Sequence, residues 1–449
     1  MSSRESNNSN NSNNSNNSNT LQHPDAHHHG LPLLPVPTDD KNDPLRWPRS
    51  LKLAALGATA FYNFTANFAG SGFSVATPVL EARLHRSAGD INNLMAFNFL
   101  FLGIGNMFWV PIGIKYGKRA SLLFSMFMLF VILVWTAKET TYHGLFAARC
   151  ISGFASAAGE SIVPAIVGNI FFLHERAAMM SGYTLLILSA TAIGPLVGSF
   201  IVQYSPGGLS DYLWKSWMSI WKPSLVITFN PEASLVKTAV LPVQLLFQQS
   251  VLLAVYIYGT SLAAQIILIF AFPSFLTAPP YNFSSSGVGL MEIAAIIGFL
   301  FSCFTGRFLA DVITAAVICR EKGNVYPEQR LFAMLLFSFI ALAGCILVAF
   351  ACSQKLHWAA IAVGFGMVSF GTIYVPNIAI TYVVECYPNV LGECLVSINV
   401  FKNLVAFVFL FTAVDWVALS GWLQVYMIMF MLLTLGVIGS MLLYFVKRR

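Results

Sequence analysis

Residues Ile91–Arg119 read INNLMAFNFLFLGIGNMFWVPIGIKYGKR, a run with no formal charge up to Ile114 and then three cations within five residues. The uncharged part exceeds the roughly 20 residues that a helix needs to cross hydrocarbon. The cations mark a water-facing end. Comparable runs follow or precede it at Leu53–Leu80, Ala120–Ala137, Thr141–Phe172, Ala178–Tyr204, Val240–Leu276, Val288–Leu309, Leu331–Cys352, Trp358–Val384, Leu395–Val414 and Gly421–Val446, eleven in all. With 57% apolar side chains and 38 Phe in 449 residues, the chain is too apolar for a soluble globule of its size. In hydrocarbon every backbone amide must be paired within its own segment, and the runs lack the short alternation of barrel strands. The expected fold class is all-α polytopic membrane.

The first 46 residues differ in kind. An Asn/Ser tract with almost nothing apolar cannot build a core, so a disordered polar tail is expected. This start lacks the basic-then-apolar order of a cleaved signal peptide, and the first span is expected to insert as a signal-anchor. His27–His29 sit in that tail and receive no metal role. The net charge of +6 does not point to nucleic acid, because the bases gather in short loops between spans. Lys115, Lys118 and Arg119, then Arg320 and Lys322, then Lys447–Arg449, are all expected on the cytoplasmic side. The seven Cys include no C-x-x-C and no Cys/His set at metal spacing. No phosphate-cradling G-x-x-x-x-G-K-[ST] is present, so no ATP site or other cofactor is expected. A membrane enzyme finds little support, since no nucleophile-base set emerges from the loops.

Two basic loops resemble each other. PIGIKYGKR follows the second span, and GRFLADVITAAVICREKG stands at the matching place of the later half, as a repeated bundle implies. PIGIKYGKRASLL resembles the loop motif of the major facilitator superfamily, through Gly113, Lys115, Gly117, Lys118 and Arg119. AARCISGFASAAGE, with Arg149 and Gly153, resembles that superfamily's fourth-helix motif. GNIFFLHERA and IGPLVGS, the latter with Gly194, Pro195 and Gly198, resemble the next loop and the antiporter-type fifth helix. APPYNFSSSGVGL, GNVYPEQRL and TYVVECYPNVLGECLVSINVFKNLVAF look like the fungal multidrug- and polyamine-type branch.

The resemblance covers most of residues 43–446. It implies two helical bundles, residues 47–204 with five spans and residues 240–449 with six, joined by an interfacial or cytoplasmic linker over 205–239. It also implies a monomeric secondary transporter with alternating access, a small-molecule substrate and protons as coupling ion. The expected location is the plasma membrane or the vacuolar membrane, with both termini cytoplasmic if helix parity holds. Export of a drug, toxin or secondary metabolite leads. Uptake of a nutrient or polyamine is the alternative.

Ionisable groups inside a span cost roughly 2.5–3.5 kcal/mol on insertion scales and so tend to face a cavity or a partner. Glu160 in the fourth span and Lys402 in the eleventh are therefore candidates for the substrate and proton pathway, and pairing between them would economise on charge. Arg149 joins them by resemblance, with snorkelling to the headgroups as the alternative. Tyr62, Asn63, Asn67, Tyr374, Asn377 and Asn399 carry polar groups that need partners, in a cavity or between helices. Gly306 and Asp311 stand where the second basic loop begins. Asn282, in N-F-S, is the glycosylation candidate in a short loop, whereas the Asn63 sequon lies inside a span.

The departure from the family pattern lies between Tyr204 and Val240, where a sixth span is expected. SPGGLSDYLWKSWMSIWKPSLVITFNPEASLVK has no adequate apolar run, and its Trp-rich part suits the interface better than a crossing. Eleven helices cannot put all three basic clusters on one side. Either Trp214–Phe229 crosses as a Trp-flanked substitute, or a helix has been lost from the chain or from its gene model. Loss would favour a non-transporting carrier or sensor. A second departure is Ile114, which stands where the loop motif has an acid, while the later loop keeps Asp311. Restoring that acid with Ile114→Asp is expected to change transport kinetics; unaltered kinetics in an active chain would count against a gating role for the loop.

Overall fold

The computed structural model describes residues 44–171, 173–204, 235–320, 329–387 and 390–448, with the pairs 27–28 and 31–32. The apolar runs close their own backbone hydrogen bonds as helices. These are α1 (Arg49–Ser71), α2 (Thr77–Leu84), α3 (Ala88–Tyr116), α4 (Lys118–Lys138), α5 (Tyr142–Ile170) and α6 (Leu173–Tyr204). There follow α7 (Leu235–Leu245), α8 (Gln249–Thr277), α9 (Ser285–Arg320), α10 (Gln329–Ser353), α11 (Trp358–Cys386) and α12 (Leu391–Arg448). Among the described residues, eight helices are long and apolar enough to cross a membrane. One of them, α12, is long enough for two crossings, and α1 and α10 pack alongside. The chain is an all-α polytopic membrane protein.

Two expected runs divide. Leu53–Leu80 is not one helix: α1 stops at Ser71, a 3₁₀ turn occupies Ser74–Ala76, and α2 carries Pro78 in its first turn. A proline inside a continuous helix lacks its N–H and clashes with the carbonyl four residues back, whereas the first turn accommodates it. Val240–Leu276 breaks between α7 and α8, where Gln244, Gln248 and Gln249 interrupt the apolar pattern. The last two runs remain two helical segments of α12, which meet without a loop at the non-helical Gly421, whose φ of 73° suits a residue without Cβ. Residues 205–234, where the sixth span was expected, lie outside the described residues. So does most of the tail, of which His27–His28 pair antiparallel with Leu31–Pro32.

Local chemistry sets the helix ends. Ser87 and Asp90 form a reciprocal capping box at the start of α3, with Asp90 N donating to Ser87 Oγ at 3.1 Å. At the end of α4 the Glu139 carboxylate accepts from Thr141 Oγ1 at 2.6 Å, from Thr141 N at 3.0 Å and from Trp135 Nε1 at 2.9 Å. Those bonds, the Thr141 hydroxyl first, hold its carboxyl down at about 2. α3 and α4 are joined by Gly117 alone.

Helices α1 and α3–α6 pack among themselves, as do α8–α12, and two seams connect the sets, α3 on α12 and α6 on α9. Along the first seam Phe97 meets Phe407 with ring centroids 5.5 Å apart, and Asn92 Nδ2 donates to the Leu410 carbonyl. Along the second, Ser286 N donates to Gln203 Oε1 at 2.8 Å. Both seams close at the end of the molecule that carries the 278–284 loop.

Gly117 holds φ 94° and ψ 136°, a conformation that side chains with a Cβ rarely adopt. We expect Gly117→Val to cost on the order of 1–3 kcal/mol and to lower the melting temperature in detergent. An unchanged melting temperature would contradict the strain at this turn.

Candidate functional site

The fourth apolar run is rich in Ala, Ser and Gly, and that small-residue surface lets α3 lie close against α5. Glu160 projects from this surface near the middle of the membrane-spanning stretch. Its Oε1 forms an ion pair with Lys402 Nζ of α12. Its Oε2 accepts from Asn106 Nδ2 of α3 and from Asn403 Nδ2 of α12, each at 2.8 Å. Asn399, one turn before Asn403, donates from Nδ2 to the Glu160 backbone carbonyl at 3.3 Å. Lys402 Nζ also lies 4.3 Å from the centre of the Tyr258 ring on α8. The side chains of Lys402 and Glu160 are only 6% and 18% exposed, so their mutual attraction is stronger than in a surface ion pair and is offset by the desolvation of both charges, which makes losing either partner costly.

A second polar layer lies behind this pair, within the first set of helices. Asn63 Nδ2 donates to Tyr183 Oη at 2.6 Å, Tyr183 Oη donates to the Gly159 carbonyl at 2.9 Å, and Asn67 Nδ2 reaches Asn63 Oδ1 at 3.1 Å. Tyr62 Oη shares a 2.7 Å hydrogen bond with Ser125 Oγ and donates to the Ala155 carbonyl at 3.2 Å. These groups hold the α5 backbone beside Glu160 against α1 and α6.

The structure thus brings together Glu160, Lys402 and Asn399, with Asn63, Asn67 and Tyr62 adjoining. It does not bring the others in. Arg149 sits about three turns along α5 from Glu160, buried, with its guanidinium 3.3 Å from the centre of the Phe73 ring. That burial places it inside the packing and not at a headgroup. Tyr374 is buried in an apolar cluster, stacked on Phe370 at 5.4 Å and edge-on to Phe337, with Gly306 at its back. Asn377, one turn further on α11, takes no part in the hydrogen bonds around Glu160 among the described residues.

The motif residues serve contacts within the first set of helices. Lys118 Nζ donates to the Ala165 carbonyl at 3.1 Å, tying the α3–α4 loop to the end of α5. Lys115 lies over Tyr116, and Gly113 admits the Ile162 side chain of α5. Arg119 and Ile114 are exposed. Gly194 lets α6 approach α1 so closely that a Cβ there would stand 2.5 Å from the Phe68 carbonyl oxygen. Pro195 continues that helix, and Gly198 faces Gly72. Asp311 falls in α9 with its side chain outside the described residues. Asn282 is exposed in its loop, while Asn63 is buried.

Sequence reasoning missed Asn106, Asn403, Tyr258 and Tyr183. The cost argument that singled out Glu160 applies to mid-span amides as well, and would have found Asn106 and Asn403. It also missed Glu292, a second carboxylate buried in a span.

Comparison with known proteins agrees with this architecture. The family description "Major Facilitator Superfamily" matches residues 59–410. Among curated proteins, an uncharacterized MFS-type transporter of Schizosaccharomyces pombe is 22% identical, over 87% of this chain and 82% of its own length. Protein HOL1 of Saccharomyces cerevisiae is 22% identical over 87% and 85% of the two chains, and the efflux pump radE of Floropilus chiversii is 21% identical over 82% and 74%. The protein is a membrane transporter by class. It belongs to the Major Facilitator Superfamily, and its curated relatives are fungal.

Removing one member of a buried ion pair strands the other, at a cost of about 3–5 kcal/mol, whereas removing both leaves no orphan charge. Lys402→Met alone is expected to lower thermal stability more than Lys402→Met combined with Glu160→Gln. Additive losses in this double-mutant cycle, read by thermal unfolding in detergent, would show that the two groups are not coupled.

Proposed function

We propose that the protein is a secondary active carrier that exports a small organic or amphipathic molecule in exchange for protons, through a pathway between two bundles, residues 47–204 and 240–449. The observation that carries this reading is the Glu160–Lys402 pair, which joins helices of the two bundles in mid-membrane and is enclosed by the amides of Asn106 and Asn403. An opposite-charge pair between moving bodies is a latch. It holds one conformation until a polar group of the cargo takes the place of one partner, and differential binding of that kind is what shifts a two-state equilibrium. Closure of the α3/α12 and α6/α9 seams at the end bearing Asn282 supports an arrangement in which cargo enters from the opposite end. The basic clusters support a cytoplasmic location for that end, and hence for the chain termini, in the plasma membrane. The names of relatives that are efflux pumps or cluster transporters support export. We infer a monomer, since one chain supplies both bundles.

A second reading has its own observation: residues 205–234 contain no run apolar and long enough to complete the first bundle with a sixth helix. On that reading the chain is a carrier that no longer transports. Full-length protein reconstituted into phosphatidylcholine vesicles decides between them. With the interior acidified, ethidium is expected to accumulate inside as protons leave, and Glu160→Gln is expected to abolish this. Spermidine moving with the protons would favour uptake. No gradient-driven movement of either probe would favour the non-transporting form.

A further inference from the structure

Glu292 is a carboxylate that the Glu160 site does not use. It lies on the second turn of α9, on the same face as Val288, Ala295 and Phe299, all of them buried. The residue is 6% exposed, and its Oε2, shielded from solvent, has no hydrogen-bond partner among the described residues. One turn earlier Gly289 packs on Ser199 and Leu196 of α6, and two residues later Ala294 lies against Gly366 of α11. Glu292 therefore stands beside the seam between the two bundles.

Among the described residues, the elements packed on α9 offer no countercharge. α9 packs on α6, α11, α10, α8 and the Ser74–Ala76 turn. Their described titratable residues are Tyr183 and Tyr204 on α6, Tyr374, Tyr382 and Cys386 on α11, Cys345 and Cys352 on α10, and Tyr256 and Tyr258 on α8. On α9 itself Cys303 is the neighbour along the helix. All are phenols or thiols, which carry no positive charge in either protonation state. The charged residues of these helices, His174, Glu175 and Arg176, Arg330, Glu385, and Arg307, Asp311 and Arg320, belong to segments at the opposite end of the molecule by sequence position. An ionised carboxylate enclosed without a cation or donor is the costliest state such a group can take, and natural structures avoid it. Glu160 shows the contrast, since an ammonium and two amides satisfy it as an anion.

We propose that Glu292 is a proton-binding site of this carrier, holding a proton while enclosed at the α6/α9 seam and releasing it to water when that seam opens. The cycle is balanced: the carboxylate takes one proton from water on one side and returns it on the other, with no other bond made or broken. This deepens the proton-coupled reading above and rests on it for its place in transport, though proton binding itself does not. Glu160 with Lys402 is then the cargo-sensitive latch, and Glu292 the proton-sensitive one.

Infrared difference spectroscopy of the full chain in phosphatidylcholine bilayers, titrated from mildly acid to mildly alkaline pH, reads the proton directly. The expected result is a protonated-carboxyl C=O band at neutral pH that vanishes in Glu292→Gln, shifts in Glu292→Asp and persists in Glu160→Gln. A neutral-pH spectrum unchanged by Glu292→Gln would overturn the proposal. In vesicles, Glu292→Gln is expected to abolish proton-driven ethidium accumulation while ethidium–ethidium exchange continues. Loss of exchange as well would assign Glu292 to the cargo and overturn the proton assignment. A wild-type chain that shows the band but moves no ethidium would count against the transport reading and leave proton binding at Glu292 established.

Discussion

A carboxylate and an ammonium buried against each other in mid-membrane are hard to separate, because each charge alone in that setting is penalised by desolvation. Glu160 and Lys402 stand in that relation, and they stand on the two different sets of packed helices. Every feature around them serves to keep them together. Asn106 and Asn403 both donate to Oε2 of the carboxylate, Tyr258 presents its ring to the ammonium, and the Asn63–Tyr183 layer fixes the α5 backbone beside Glu160. A polar network that satisfies the carboxylate, with the buried Asn106 Oδ1 left without a partner among the described residues, favours one arrangement of the helices that carry it. The two seams complete the enclosure, with small residues at the crossings so that backbones meet without voids.

The same constraint explains how such a site can work. An interaction that is strong only while undisturbed gives a conformation that is stable until a competitor arrives. A cargo with a polar group competes for Lys402 or Glu160 directly. On the proposal made above, a proton competes elsewhere, at Glu292. Two independent chemical inputs acting on two seams of one interface would meet the minimal requirement for coupling two fluxes.

Much of this was legible in the residues. Run length predicted the all-α membrane class, since hydrocarbon thickness and backbone pairing leave a spanning run of this kind no alternative to a helix, but it did not predict where the Leu53–Leu80 and Val240–Leu276 runs break. The cost of a charge in a span singled out Glu160 and Lys402, and charge economy suggested their pairing. Facing was not legible: Tyr374 has the chemistry of a lining, but its ring packs against Phe337 of α10 and stacks on Phe370 one turn back along its own helix. Arg149 was assigned by resemblance, and its burial against Phe73 depends on a turn, Phe73–Ala76, that the apolar pattern concealed inside a single run. Helix rotation and the fold-back of short turns are set by tertiary packing, which a single sequence does not encode locally.

The central claim is that the Glu160–Lys402 pair holds the bundles together at the seam. Spin labels at His85→Cys and Leu419→Cys, both exposed and on opposite sides of the α3/α12 seam, report the separation in a cysteine-depleted full-length chain by pulsed electron resonance. The account predicts one short, narrow distance population in the parent chain and a longer, broader one when Lys402→Met is added. An unchanged distribution in that variant would contradict it.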